Sequence, residues 1–270
     1  MVEVEGHSKE VRRLAAVGDL HCTKDSAGAL RSFFMHLEGR ADALILCGDL
    51  TDYGLPEEAH VLAKELSVIE MPIVGVLGNH DYESGHASEV SAILKEAHVR
   101  ILDGDSVVIG GVGFAGAKGF CGGFGRGTLG PWGETAIKAF VKEALDEAMK
   151  LESALARLRT ERRVALLHYS PIRGTVIGEP EEIYPFLGCG RLEEPLERYP
   201  VTVGFHGHAH RGALEGTTRI GTPIYNVALP LLRRHLDPSF PIRIIDLETL
   251  PIDKEAADGF VPVNGESRAV

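Results

Sequence analysis

The segment Pro72-Ile-Val-Gly-Val-Leu77 is apolar throughout and stops at Gly78-Asn-His-Asp81. A short unbroken apolar run bounded by turn residues is the pattern of a strand buried on both faces. Core packing does not ask for an amide, an imidazole and a carboxylate on consecutive positions at the end of such a strand, and a plain turn more commonly uses Ser, Gly or Asp. Four more stretches repeat the theme. Residues 11–17 lead into Gly18-Asp19-Leu20-His21, 41–47 into Gly48-Asp49, 164–167 into His168, and 201–205 into His206-Gly-His-Ala-His210. Whatever fold the chain adopts must place these five ends where polar groups are needed.

The spacers between the first runs have helical periodicity. Leu30, Phe33, Phe34 and Leu37 share one face over 27–37, and Val61, Leu62, Leu66 and Ile69 share another. Pro56 suits a first helical position, and Glu57 and Glu58 complement the positive end of the helix dipole. After the third run, Val90, Ile93, Leu94 and Ala97 form a third inward face. Buried strands alternating with amphipathic helices predict a parallel sheet covered on both sides. Ligands of such sheets bind beyond the carboxyl ends of the strands, which is where the polar clusters lie.

The pattern then changes. Residues 99–113 offer short strands, and 114–133 is a Gly-rich loop containing Phe114, Phe120, Phe124 and Trp132. A loop of that length is usually a rim over a site or a mobile excursion. Residues 133–159 carry a broad apolar stripe from Ile137 to Leu158, which suits a helix laid on a sheet better than the narrow seam of a coiled coil. A Gly/Pro-punctuated loop over 172–187 and a short helix over 191–198 follow. Residues 219–220, 224–228 and 242–247 read as edge strands. The whole chain reads as one domain, 1–270, with loosely held tails at 1–10 and from 253.

Composition restricts the function. A net charge of −11 without a basic run argues against nucleic-acid binding, which rests on Lys and Arg neutralising phosphates. The four cysteines form no CxxC pair, and no secretory leader is recognised at the start. Both points favour a reducing, cytoplasmic setting with the thiols as small buried residues. No apolar run approaches the ~20 residues that span a bilayer, so no membrane partner is expected.

The polar groups at the strand ends are Asp19, His21, Asp49, Asn79, His80, Asp81, His168, His208 and His210. Residues two apart on an extended segment point the same way, so Asp19 with His21, and His208 with His210, can both reach inward. A lone D-x-H is more often a cap or turn, and a single GD means almost nothing. Five strand ends in one chain, each supplying a metal-ligand type, carry the argument together. Nitrogen and oxygen donors without thiolate suit Mn, Fe, Zn or Co better than Ca or Mg.

In order, D-x-H, GD, GNHD, H and GHxH from Asp19 to His210 resemble the calcineurin-like metallophosphoesterase superfamily. The resemblance implies an α/β fold, a four-layer α/β/β/α sandwich of two mixed sheets with helices on the outer faces. It also implies two metal ions, one held by Asp19, His21 and His210, the other by Asn79, His168 and His208, with Asp49 bridging them. His80 would face the substrate and Asp81 would orient its imidazole. The expected reaction is hydrolysis of a phosphoester. A metal-held hydroxide would attack phosphorus, and protonated His80 would assist the departing oxygen.

Gly48–Gly54 and Gly78–Asp81 are also similar to bacterial class III cyclic-nucleotide phosphodiesterases, so a cyclic-nucleotide diester is an alternative to a monoester. The expected partner is a small-molecule or nucleotide phosphoester. No substrate-binding residue is fixed by the sequence. Arg126, Arg173 and His86 are candidates for contacting a phosphate or base, and Phe120, Phe124 and Trp132 for stacking, each against a plainer role in the loop. A scaffold that has lost catalysis would show gaps in the ligand set, and none is found.

Overall fold

Residues Ala43–Cys47 are buried along their whole length, as are Ile73–Val76 and Val112–Gly116. A strand can be buried on both faces only with a layer above and a layer below it. The computed structural model describes residues 10–251 and supplies those layers. In chain order its strands are β1 (Arg13–Val17), β2 (Ala43–Cys47), β3 (Ile73–Val76), β4 (Val99–Ile101), β5 (Asp105–Ile109), β6 (Val112–Gly116), β7 (Arg162–Leu166), β8 (Val203–His206), β9 (Glu215–Thr217), β10 (Pro223–Asn226) and β11 (Arg243–Asp246). They form two mixed sheets, β11-β1-β2-β3-β4 and β5-β6-β7-β8-β10-β9. In the first, only β11 runs antiparallel; in the second, the outer strands β5 and β9 do.

The two sheets pack face to face, and alternation along the strands sorts the side chains. Phe114, Val164, Leu166 and Phe205 join Ile45, Val74 and Val76 in the core between the sheets. Their neighbours Ala115, Ala165 and Leu167 point the other way, toward Leu151 and Leu155. Those leucines belong to α4 (Thr135–Leu155), which covers the outer face together with α6 (Glu193–Arg198). On the opposite outer face lie α1 (Arg31–Met35), α2 (Pro56–Leu66) and α3 (Ala87–Glu96). Gly116 marks how close the sheets come, since a Cβ there would sit 2.7 Å from Val76 Cγ1. This is the α/β/β/α sandwich that the resemblance implied.

Several boundaries differ from expectation. The first helix is short because Gly28, at φ +83°, breaks it, and the Glu65 carboxylate takes the N–H groups of Gly28, Leu30 and Arg31 instead. Residues 219–220 form a turn rather than a strand, with Gly221 at φ +90° donating to the Thr218 carbonyl. The segment over 224–228 is an inner strand, flanked by β8 and β9, rather than an edge. Phe114 belongs to β6, so the Gly-rich loop begins later than expected. Two further helices appear, α5 (Tyr184–Leu187) within the expected loop and α7 (Leu229–His235) where no element was read. Each has a proline in its first turn, which is the helix-start signal that went unread. The expectation of loose tails concerns, apart from Glu10, residues outside those described.

Candidate metal centre

The carboxyl ends of β1, β2, β3, β7 and β8 meet at one edge of the sandwich, and the segments leaving them are laced together. Asp19 N–H donates to the Gly48 carbonyl (2.9 Å), His21 N–H to the Asp49 carbonyl (3.0 Å) and Gly207 N–H to the His168 carbonyl (3.1 Å). The backbone at these points is not extended, as the i, i+2 argument assumed. Asp19, His21, Asp49 and His208 have φ of +54°, +45°, +47° and +67°. For an L-residue such a conformation costs on the order of 1–2 kcal/mol. Four instances in one site, with the surrounding hydrogen bonds holding them, mark a place where side-chain direction outweighs backbone comfort.

The side chains converge in overlapping groups. Asp19, His21 and His210 bring one ligating atom each within 4.8 Å of one another, and so do Asp49, His168 and His208. His21, Asp49 and His80 form a third such group, which places Asp49 between the others. Asn79 Oδ1 lies 2.9 Å from His168 Nε2, and Asp49 Oδ1 lies 3.3 Å from the same nitrogen. His168 Nδ1 faces the Cys47 carbonyl at 3.0 Å and so carries the proton there. Nε2 thus faces two oxygens, and a cation satisfies all three, either a proton on Nε2 or a metal ion between them.

The other histidines are set in the same manner. His208 Nε2 donates to the Phe186 carbonyl (3.1 Å), which frees Nδ1. His21 Nδ1 donates to Asp52 Oδ1 (3.0 Å), and its buried Nε2 has no hydrogen-bond partner among the described residues. Tying one ring nitrogen to an acceptor while the other points into the site is how metal-binding histidines are oriented. His210 Nε2 lies 3.0 Å from Asp19 Oδ1. The donor set thus fits divalent transition-metal ions.

The electrostatics agree. Burial works against a charge on His168, but Asp49 and then Asp19 outweigh it and raise its pKa to about 9. Burial, with His168 beside it, pushes His208 down to about 3. Burial also opposes ionisation of Asp49, yet His168 and the His80 N–H hold its carboxyl below the ordinary value. Protons and metal ions compete for the same lone pairs in such a cluster.

Glycine is required here for room rather than for flexibility. A Cβ on Gly78 would lie 2.2 Å from the backbone nitrogen and Oδ1 of Asp49, and one on Gly207 would lie 2.2 Å from Asp19 Oδ2. Gly78 was expected to allow a sharp exit from the strand, and its φ is not in the left-handed region.

The roles expected within Gly78-Asn-His-Asp81 need one correction. Asp81 does not hold the His80 imidazole. Its buried carboxylate accepts from Leu50 N (3.2 Å), Thr51 N (2.8 Å), Thr51 Oγ1 (2.6 Å) and Gly78 N (2.8 Å), so it clamps the segment after β2 to the one after β3. His80 Nδ1 instead donates to the Asp52 carbonyl at 2.7 Å, and the side chain remains 35% exposed. Asp52 therefore positions both His21 and His80, a role that nothing in Gly48–Gly54 distinguished from an ordinary turn aspartate. Asn226, buried at the end of β10, donates to the Ala209 carbonyl (2.7 Å) and steadies the two-histidine turn. His206 stands apart from the ligands, buried between the Gly207 carbonyl and Thr175 Oγ1.

The candidate substrate contacts are placed elsewhere. Arg173 pairs with Glu181 and lies over Tyr184, and His86 pairs with Glu89. Arg126 is exposed in a turn over Gly125–Gly127. Phe120 packs on Phe140 and Tyr169, and Phe124 on the small cluster of Val176, Tyr184, Leu187 and Ala209, so both pin the loop down. Trp132 is 72% exposed.

Comparison with protein families decides the classification, because the model of the calcineurin-like phosphoesterases matches residues 12–212, every predicted ligand included. The chain belongs to the calcineurin-like phosphoesterase family. It is a phosphoester hydrolase with a metal-binding site. Solved structures share the phosphoesterase fold at low identity. A phosphopantetheinyl hydrolase from Mycobacterium tuberculosis aligns with a TM-score of 0.63 and 15% identity, covering 89% of this chain and 97% of that one. A Thermus thermophilus protein gives 0.51 and 15%, covering 88% and 99%. The protein described as the anchor in the inner membrane complex of Plasmodium gives 0.52 and 13%, covering 82% and 73%. No curated protein is matched. No helix among the described residues of this phosphoesterase is long and apolar enough to cross a membrane.

Proposed function

We propose that this phosphoesterase is a two-metal enzyme acting on a small-molecule or nucleotide phosphoester, mono- or diester. Asp19, His21 and His210 would hold one ion, Asn79, His168 and His208 the other, and Asp49 would bridge them. The observation that carries this reading is the convergence of three metal-ligand atoms, with Asn79 Oδ1 at 2.9 Å and Asp49 Oδ1 at 3.3 Å from His168 Nε2. Bound there, Mn, Fe or Zn ions supply positive charge for the phosphoryl oxygens and make water acidic enough to act as a nucleophile near neutral pH.

The chain's own residues do the rest. Only Asp19 and Asp49 among the ligands are acids, so the site retains enough positive charge to attract a phosphoester. With Nδ1–H fixed on the Asp52 carbonyl, His80 offers Nε2, and in the protonated ring Nε2–H donates to the departing ester oxygen. The His80 N–H also donates to Asp49 Oδ1 (2.8 Å), so the proton donor and the bridging carboxylate move as one unit. Asp81, by clamping the two segments that carry them, preserves this spacing.

The test is a panel of a chromogenic monoester, a chromogenic diester and 3′,5′-cyclic nucleotides, run with Mn, Fe, Co or Zn on wild type and His80→Ala. Turnover by wild type is expected. His80→Ala should keep its metal and lose rate, most on alkyl esters whose leaving groups need a proton. Silence on every substrate with every metal would favour a catalytically inactive scaffold of the same fold. Full activity of His80→Ala on an alkyl ester would remove the proton-donor assignment.

A further inference from the structure

Lys118 is outside the ligand set yet sits directly behind it. Its carbonyl, just beyond β6, accepts the N–H groups of His168 (3.0 Å) and Tyr169 (3.1 Å). Its side chain is 9% exposed, and the ammonium lies 4.9 Å from the centre of the Phe120 ring, 5.5 Å from Tyr169 and 5.6 Å from Tyr82. An ammonium has three donors. One goes to the Gly119 carbonyl at 2.9 Å, and the other two have no acceptor among the described residues. The buried acid of this region, Glu147, is committed to the Gly119 N–H (2.8 Å) and to Lys150 (2.7 Å). Lys118 is thus a buried cation without a carboxylate partner. Burial lowers its pKa, the three ring faces offset part of the charge, and a bound anion would stabilise it further.

A cavity of about 260 Å³ opens beside it, lined among others by Tyr82, Ser91, Lys95 and Lys118. The acids at its rim, Asp103 and Asp105, are engaged by Lys150 (2.8 Å) and Arg157 (3.9 Å). The cavity borders the metal centre, since Leu77 and Tyr82, which line it, flank the segment that carries Asn79 and His80. His80 and Tyr82 are the two ends of one helical turn, and the Tyr169 ring that lies below Lys118 also lies 4.5 Å from the His208 ring. Pockets for drug-sized ligands run from roughly 300 to 1,000 Å³, so this one suits a single small group rather than a whole nucleotide.

We propose that the Lys118 cavity is a second anion subsite, taking a phosphate or carboxylate carried by the same substrate whose ester lies at the metal centre. The proposal rests on the phosphoesterase reading for the ester, and on the two unused donors of the ammonium, the aromatic box and the common border for the second charge. It makes the enzyme selective for substrates with two separated anionic groups.

The test compares wild type with Lys118→Met, which keeps the apolar stem and removes the charge. The readout is the ratio of kcat/KM for a nucleoside 3′,5′-bisphosphate to that for p-nitrophenyl phosphate. The ratio should fall at least tenfold in the variant, carried by KM, and an unchanged ratio would overturn the subsite. A second measurement, heat of binding of inorganic phosphate to the chelated full chain, needs no turnover. Binding by wild type that is lost in Lys118→Met is expected; equal binding, or none in either, would overturn the proposal. Binding lost in the variant, in a protein that hydrolyses nothing, would instead refute the two-metal hydrolase reading and leave the anion site standing.

Discussion

Asp81→Asn separates a clamp from a catalytic orienter. The carboxylate receives two donors on each oxygen, Thr51 N and Oγ1 on one, Leu50 N and Gly78 N on the other. An amide keeps one oxygen and turns its NH₂ toward the other pair of donors. Two bonds to a charged acceptor are lost, at about 1.5–3 kcal/mol each, or roughly 3–6 kcal/mol gross. Part is returned because the charge is no longer buried; burial already holds the Asp81 carboxyl above its ordinary value, against those same bonds. A net loss of about 2–4 kcal/mol is expected, a large share of the ~5–15 kcal/mol that keeps a domain folded. Urea unfolding of the chelated full chain should show it as a lower midpoint at unchanged slope, and metal affinity should weaken in parallel. Stability within about 0.5 kcal/mol of wild type, with turnover down by orders of magnitude, would refute the clamp and return Asp81 to the imidazole.

Gly207→Ala drives a Cβ to 2.2 Å from Asp19 Oδ2 and 2.7 Å from the Cys47 carbonyl, one of them backbone, so Asp19 must yield. Overpacking of this kind costs about 1–3 kcal/mol, and metal analysis should show weakened binding at the Asp19 side; full metal content at wild-type stability would contradict the packing argument. Burial pushes Cys22 up to about 12 and raises Cys47, Cys121 and Cys189 as well, so a thiol reagent at pH 8.5 should label the native chain no faster than it unfolds. Because the unfolded thiols ionise first, they also make stability fall as pH climbs from about 9 toward 12, measurable by thermal unfolding across that range. Rapid labelling of the native chain would show that the thiols are not buried as described.

The strands could be read from the sequence where burial on both faces forced an unbroken apolar run, as in β2, β3 and β7. Half-exposed β5 and β10 carry weaker patterns, and the second was taken for an edge because the order of strands in a sheet is set by packing that no local pattern encodes. α7 was missed because Leu229-Pro230 follows directly on a strand, and the proline was not read as a helix start. At the site, every predicted ligand falls in one place, since each had to leave a strand end with a side chain that core packing rejects. The roles of Asp52, Asn226 and the Phe186 carbonyl were not legible, because each acts through a partner distant in sequence. Asp81 was misassigned for a related reason: adjacency to His80 along the chain suggested contact, whereas its four donors come from residues 50, 51 and 78.

The most direct test of the two-metal account is the number of ions each chain retains, measured by elemental analysis after loading with Mn, Fe or Zn and removal of free metal. The account predicts two per chain for wild type and a clear loss for Asp49→Ala, which lacks the carboxylate standing between His21 and His168. A wild-type chain that saturates at one ion or none, or an Asp49→Ala chain that still retains two, would contradict it.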